Sequence, residues 1–219
     1  LYEGLASGME SLLSTLGSDV AMVIYQRTLL LCALMILPII AFLVVSKEFV
    51  FPIVFGEELA GNMAFALIPS IFFNSGFLIS RSYLNSRHSF HKQLISALVS
   101  SLFHVAVCYV VFAWCGFTVY GAVISKTITD IFNINFLMKI TGLNKEMKLE
   151  QARSITAKQV IDIGKTLIPR GLVLTLEVLA YESFAFQTVS LTENHVSAHV
   201  IATNMHNVGY FVFTGVSVV

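Results

Sequence analysis

Two carboxylates, Glu177 and Glu182, stand inside the otherwise apolar stretch "LVLTLEVLAYESFAF" (172–186). A carboxylate in such surroundings has two uses, to exchange a proton or to hold a cation, because its charge is costly there without compensation. On a helix turning about 100° per residue, two residues five positions apart point about 140° apart. The pair therefore does not form a shared acid dyad, which argues against an intramembrane aspartyl protease. Tyr181 follows Glu177 by one turn on the same face, where it can hydrogen-bond the carboxylate or stack on a bound organic cation. Further along, His199, Thr203 and His206 recur at three- to four-residue spacing with Asn204 beside them. The two histidines are too far apart to share one ion. The pattern reads as a polar face lining a cavity, with no metal.

The chain that must position these groups has 219 residues, 56% hydrophobic and 12% charged, with formal net charge +0. Its mean hydropathy is +0.81. Soluble domains carry about 25% charged residues, so this composition cannot cover a water-facing surface and predicts an integral membrane protein. A neutral balance gives no footing for nucleic acid. Cys32, Cys108 and Cys115 have no paired spacing and read as small buried hydrophobes. No basic segment with a cleavage site opens the chain, and it begins without Met and stops within an apolar run. It is expected to be a piece of a longer protein.

A hydrocarbon core of about 30 Å takes about 20 apolar helical residues. Six stretches meet that length: 28–46, 62–84, 94–114, 117–138, 163–191 and 196–219. The opening "LYEGLASGMESLLSTLG" reads as the end of a further helix. None of these runs alternates as barrel strands do, so the fold class predicted is an all-α polytopic bundle of six long spans and one partial span. Pro38 falls in the middle of the first long span, where it predicts a kink. Pro69 and Pro169 fall near span starts, where proline is tolerated. Basic loops around Arg87, His88, His91 and Lys92, and again from Lys139 to Lys165, alternate with loops poor in Lys and Arg. Cytoplasmic loops carry that excess, so the 163–191 helix runs from inside to outside. The polar connector "GLNKEMKLEQARSITAKQ" separates the earlier spans from the last two; Met147, Leu149, Ala152 and Ile155 also allow a short interfacial helix there.

Other ionisable residues fall within spans. Lys126 and Asp130 are four apart and read as a local ion pair that hides both charges. Arg170 sits about two turns into its span, from where its long stem can carry the guanidinium back to the interface. Glu177 is near the midplane and too short to reach either interface, so it must face protein or a water-filled cavity, as a protonation or cation site. Glu182, nearer the outer end, is a second candidate for the same cavity or a structural hydrogen-bonding group.

These segments resemble the eukaryotic multidrug and toxic compound extrusion (MATE) transporters. "LIPRGLVLTLEVLAYESFAF" is similar to the family's seventh helix, with its Leu-Glu followed by aromatics and a second Glu, and "SAHVIATN" is similar to the eighth. "GLASGMESLLSTLGSD" resembles the end of the second helix, and "LVSSLFHVAVCYVVF" and "GAVISKTITDIFN" resemble the fifth and sixth. The resemblance implies a chain running from late helix two to helix eight of a twelve-helix, two-lobed fold. Residues 1–142 would be the remainder of the N-terminal lobe, 143–159 the cytoplasmic connector, and 160–219 the start of the C-terminal lobe. Gly4-Leu5 and Gly215-Val216 would be equivalent positions of the two repeats. It also implies a non-enzymatic secondary antiporter that needs no cofactor. Small organic, cationic solutes or xenobiotics would be exported in exchange for H+ or Na+, with Glu177 as coupling residue and Tyr181, Glu182, His199, Thr203 and Asn204 lining the substrate cavity. The setting would be the lipid bilayer of a plasma, vacuolar or vesicular membrane, with a monomer expected at full length. The chain departs from the pattern where Val178-Leu179 replaces two tryptophans, Arg170 replaces a small residue, Glu10 replaces an Asp and Thr15 a Gln, and Lys126 a neutral polar residue. The cations Arg170 and Lys126 keep open a lipid-linked oligosaccharide flippase of the same superfamily, which must hold a pyrophosphate. A receptor or non-transporting scaffold is the reading from another class, and it leaves a midplane Glu177 without a use.

Overall fold

The computed structural model describes residues 2–16, 20–55, 58–116, 118–147, 156–189 and 195–205. Among them there are only helices and no strand, as the composition predicts. The helices are α1 (Tyr2–Leu16), α2 (Ala21–Phe55), α3 (Glu58–Ala66), α4 (Ile68–Ser86), α5 (Phe90–Cys115), α6 (Val119–Thr141), the single turn α7 (Leu143–Glu146), α8 (Ala157–Val189) and α9 (195–205).

The boundaries have local causes. The stretch read as one span over 62–84 is divided at Leu67, because Pro69 in the first turn of α4 has no N–H to continue the ladder from α3. Helix α2 instead continues through Pro38 without a break. Thr118 caps α6 by accepting from the Gly121 N–H at 3.3 Å. Gly142 ends α6 in the left-handed region at φ 77°, which lets the chain turn at once into α7. At the start of α8 the Gln159 side chain accepts from the Thr156 N–H at 3.1 Å, one half of a capping box. That sequence, Thr-Ala-Lys-Gln, starts α8 six residues before the apolar run at Ile163. Leu149, Ala152 and Ile155 of the suggested interfacial helix lie outside the described residues; Met147 packs on the core.

Two of the described helices, over Ala21–Glu48 and Phe90–Trp114, are long and apolar enough to cross a membrane by length and composition. Of the other expected spans, 196–219 lies largely outside the described residues, and three fall short for reasons written in their residues. Pro69 breaks one, Lys126, Asp130 and Lys139 interrupt α6, and Lys158, Asp162, Lys165, Arg170 and Glu177 interrupt α8.

Contacts divide the chain into two compact units, Leu1–Leu172 and Val173–Val219. The first is built around one core. Leu5, Met9 and Leu13, four residues apart on α1, meet Ile24, Tyr25, Leu31 and Cys32 of α2, Ile79 and Tyr83 of α4, Leu137 of α6 and Leu143 of α7. Val160, Ile163 and Leu167 of α8 complete it. Helix α5 lies at the edge, where it shows Leu94, Leu98, Leu102, Val105 and Tyr109 outward as a stripe at helical spacing. An apolar stripe of this kind is what a lipid-facing helix presents, and Trp114, at its outer end, is placed as an interfacial anchor.

Helices α1 and α8 cross at backbone contact. A Cβ on Gly4 would fall within contact distance of Gly171 Cα and 2.8 Å from its carbonyl oxygen, whereas one on Gly8 would meet only side chains, Leu167 Cδ2 at 3.3 Å first. Small residues at four-residue spacing allow such approach in membrane bundles. Gly4→Ala is therefore expected to destabilise the chain by about 1–3 kcal/mol, the range for forced overpacking. Gly8→Ala should cost less, because Leu167 can rotate away. Thermal unfolding of the two variants in one lipid mixture checks this, and equal stability would mean that the crossing is not as tight as drawn.

Candidate functional site

The carboxylate singled out by the sequence lies in the second unit. Glu177 is exposed on α8 and has no hydrogen-bond or ion-pair partner among the described residues. The α-helical backbone sets Tyr181 on the Glu177 face and Glu182 on another; the side chains of both lie outside the described residues. On α9, His199 is half-buried while Thr203, on the same face, and Asn204, beside it, are exposed. His206 and the Gly215-Val216 pair lie outside the described residues.

In the first unit the expected Lys126–Asp130 pair is present. Lys126 Nζ lies 2.5 Å from Asp130 Oδ1. The two ends differ: the Asp130 side chain is 2% exposed and the Lys126 side chain 47%. Ser70, in the first turn of α4, also donates to Asp130 Oδ2. The carboxylate is thus held from its own helix and from the helix that Pro69 kinks.

Arg170 is exposed near the start of α8 and has a partner on α1. Its stem lies against Gly8 and its Nη1 donates to the Gly8 carbonyl at 3.3 Å, so the guanidinium is tied to α1. The physical reason is the absence of a side chain at Gly8, which leaves that carbonyl reachable.

Between α2, α4 and α6 lies a cavity of about 260 Å³ that the sequence did not announce. Leu29, Cys32, Ile36, Phe72, Phe73, Ile134 and Met138 make it apolar. Its polar edge is Tyr25, whose hydroxyl is 2.8 Å from Ser80 Oγ, with the Tyr83 ring centroid 4.7 Å from that of Tyr25. Beside Tyr25, Gln26 is buried with both amide atoms unpaired among the described residues. The signal for this wall was the run Tyr25-Gln26-Arg27 at the start of an apolar helix.

At the basic-loop end, Arg87 Nη1 donates to Tyr83 Oη at 3.0 Å and to Glu146 Oε2 at 3.1 Å. The Tyr83 bond first, and Glu146 after it, hold the guanidinium above its already high pKa. Asn85 donates to Glu10 Oε2 at 3.2 Å. Together these contacts fasten α1, the end of α4 and the turn before the connector.

A helical bundle with an apolar outer stripe, a buried carboxylate paired on its own helix and a proline-broken span has the architecture of a polytopic membrane protein. Its fold is that of the MATE transporters. The chain superimposes on the crystal structure of the eukaryotic MATE transporter AtDTX14 with a TM-score of 0.72, over 91% of this chain and 47% of that one, at 16% identity. The chain therefore spans about half the length of that transporter. No family model matches the sequence, and no curated protein matches it.

Proposed function

We propose that this chain is part of a secondary active antiporter that exports organic, cationic solutes in exchange for H+ or Na+, with Glu177 as the coupling carboxylate. The observation that supports this reading is Glu177 itself, an exposed acid in the apolar part of α8, in a chain with a MATE fold. Proton and cation compete for one carboxylate, and two lobes rocking about the midplane expose it to each side in turn. In this reading residues 1–142 and 160–219 belong to different lobes, 143–159 link them in the cytoplasm, and Tyr181, Glu182, His199, Thr203 and Asn204 line the substrate cavity.

The lipid-linked pyrophosphate alternative needs free cations in the cavity. Lys126 is committed to Asp130 and Arg170 to Gly8, which favours the antiporter. The test is uptake by vesicles containing the longer protein under an imposed pH or sodium gradient. Organic cations should accumulate against the gradient. Gradient-independent movement of anionic lipid-linked sugars would replace the antiporter with the flippase, and no movement of either would favour a scaffold.

A further inference from the structure

We propose that α5 and α6 enclose a hydrated polar path leading from the basic-loop end of the bundle to the imidazole of His104, a second protonation site distinct from Glu177. Gln93, Ser96, Ser100, His104 and Cys108 recur every three or four residues along α5, so they form one stripe. The opposite face carries the exposed Leu94, Leu98 and Leu102, while Ser96 and Ser100 are 1% and 6% exposed. The helix that α5 packs on most extensively is α6. Gln93 Nε2, Ser96 Oγ and Ser100 Oγ, and Asn133 Oδ1 on α6, are each buried with no hydrogen-bond partner among the described residues.

One orphaned hydroxyl is a local accident. Four orphaned polar atoms on one packed pair of helices are not, since each costs about 1–3 kcal/mol if left dry. Buried water resolves such groups, with about three hydrogen bonds per molecule. From Gln93 to His104 the stripe is eleven residues long, about 16 Å at 1.5 Å per residue, a distance spanned by a short chain of waters. It begins beside His91 and Lys92, where α5 enters the bundle.

The far end is arranged to take a proton. His104 Nδ1 is 2.8 Å from Thr129 Oγ1. The Thr129 hydroxyl donates to the Ser125 carbonyl at 2.8 Å, so its oxygen is the acceptor toward His104 and the ring hydrogen sits on Nδ1. The lone pair is then on Nε2, where the Cys108 thiol, 3.5 Å away, is a weak donor. A hydronium ion delivered along the path gives its proton to Nε2 and leaves as water, producing an imidazolium. The groups facing it are Cys108 on its own helix and Thr129 on α6. Next to Thr129 on α6 is the Asp130 carboxylate, held by Lys126 and by Ser70 of α4. Intramembrane His and Asp along a polar track are the usual components of proton relays.

The path and the protonation are tested separately on the 219-residue chain in lipid vesicles. With Cys32, Cys108 and Cys115 changed to Ala, single cysteines are introduced by Ser96→Cys, Ser100→Cys, Leu98→Cys and Leu102→Cys. A charged, membrane-impermeant methanethiosulfonate is expected to modify positions 96 and 100 at least about ten times faster than 98 and 102, because only a hydrated thiol ionises and reacts. Reaction at 96 and 100 no faster than at 98 and 102 overturns the path. In the chain with its native cysteines, acidification from about pH 8 to about pH 5 is expected to produce reversible proton gain at Nε2 in the 15N signals of the His104 ring. A ring whose signals do not change across that interval overturns the protonation site.

Discussion

Glu177→Gln in the longer protein is expected to reach the membrane at the level of the unmodified protein and to lose gradient-driven export down to the background of empty vesicles. The amide keeps the size and most of the hydrogen bonding of the acid, and position 177 is exposed on α8, so folding has little to lose. What disappears is the ability to titrate and to balance a cation, and an antiporter without that residue has no exchange to perform. Glu182→Gln should have a smaller effect, because position 182, five residues on along a helix, falls on a different face from position 177. Both variants are measured for uptake across a pH gradient at matched expression. Normal transport by Glu177→Gln with a dead Glu182→Gln would move the site to the second carboxylate. Normal transport by both would make the two acids structural.

How legible the molecule was in its sequence followed the distance over which each interaction acts. Composition and apolar run length were sufficient for an all-α membrane bundle, because each span carries its own lipid-facing surface. The Lys126–Asp130 pair was readable because a helix brings residues four apart together. Ser70, which shares that carboxylate, lies sixty positions away, and nothing in its local sequence announces the contact. Arg170 shows the same limit: a cation near a span end suggests the interface, but the bare Gly8 carbonyl that captures it sits 162 residues earlier in the chain. Hydropathy also placed the α8 start late, since the Thr156–Gln159 cap is a polar signal in front of the apolar one. The α2–α4–α6 cavity stayed hidden for a different reason. An apolar pocket and a filled apolar core have the same residues, and only their packing tells them apart.

Lys126→Met is expected to destabilise the chain by about 1–3 kcal/mol, the cost of leaving a buried polar group without its partner. Asp130→Asn is expected to cost clearly less. The asymmetry comes from burial. Asp130 is 2% exposed and cannot leave its place between α6 and α4, so without Lys126 it must stay charged and uncompensated or take up a proton. Lys126 is 47% exposed, and its flexible stem can carry the ammonium elsewhere once the carboxylate is gone. At position 130 an Asn oxygen can still accept from Ser70, which preserves the link to α4. The double variant Lys126→Met/Asp130→Asn should therefore lie close to Asp130→Asn alone, with a coupling energy nearly as large as the Lys126→Met effect. Thermal or denaturant unfolding of the four proteins in the same lipid environment measures the cycle. If Asp130→Asn proves the more damaging single change, the carboxylate contributes through contacts other than Lys126. Additive effects would show that Lys126 and Asp130 do not act as a pair.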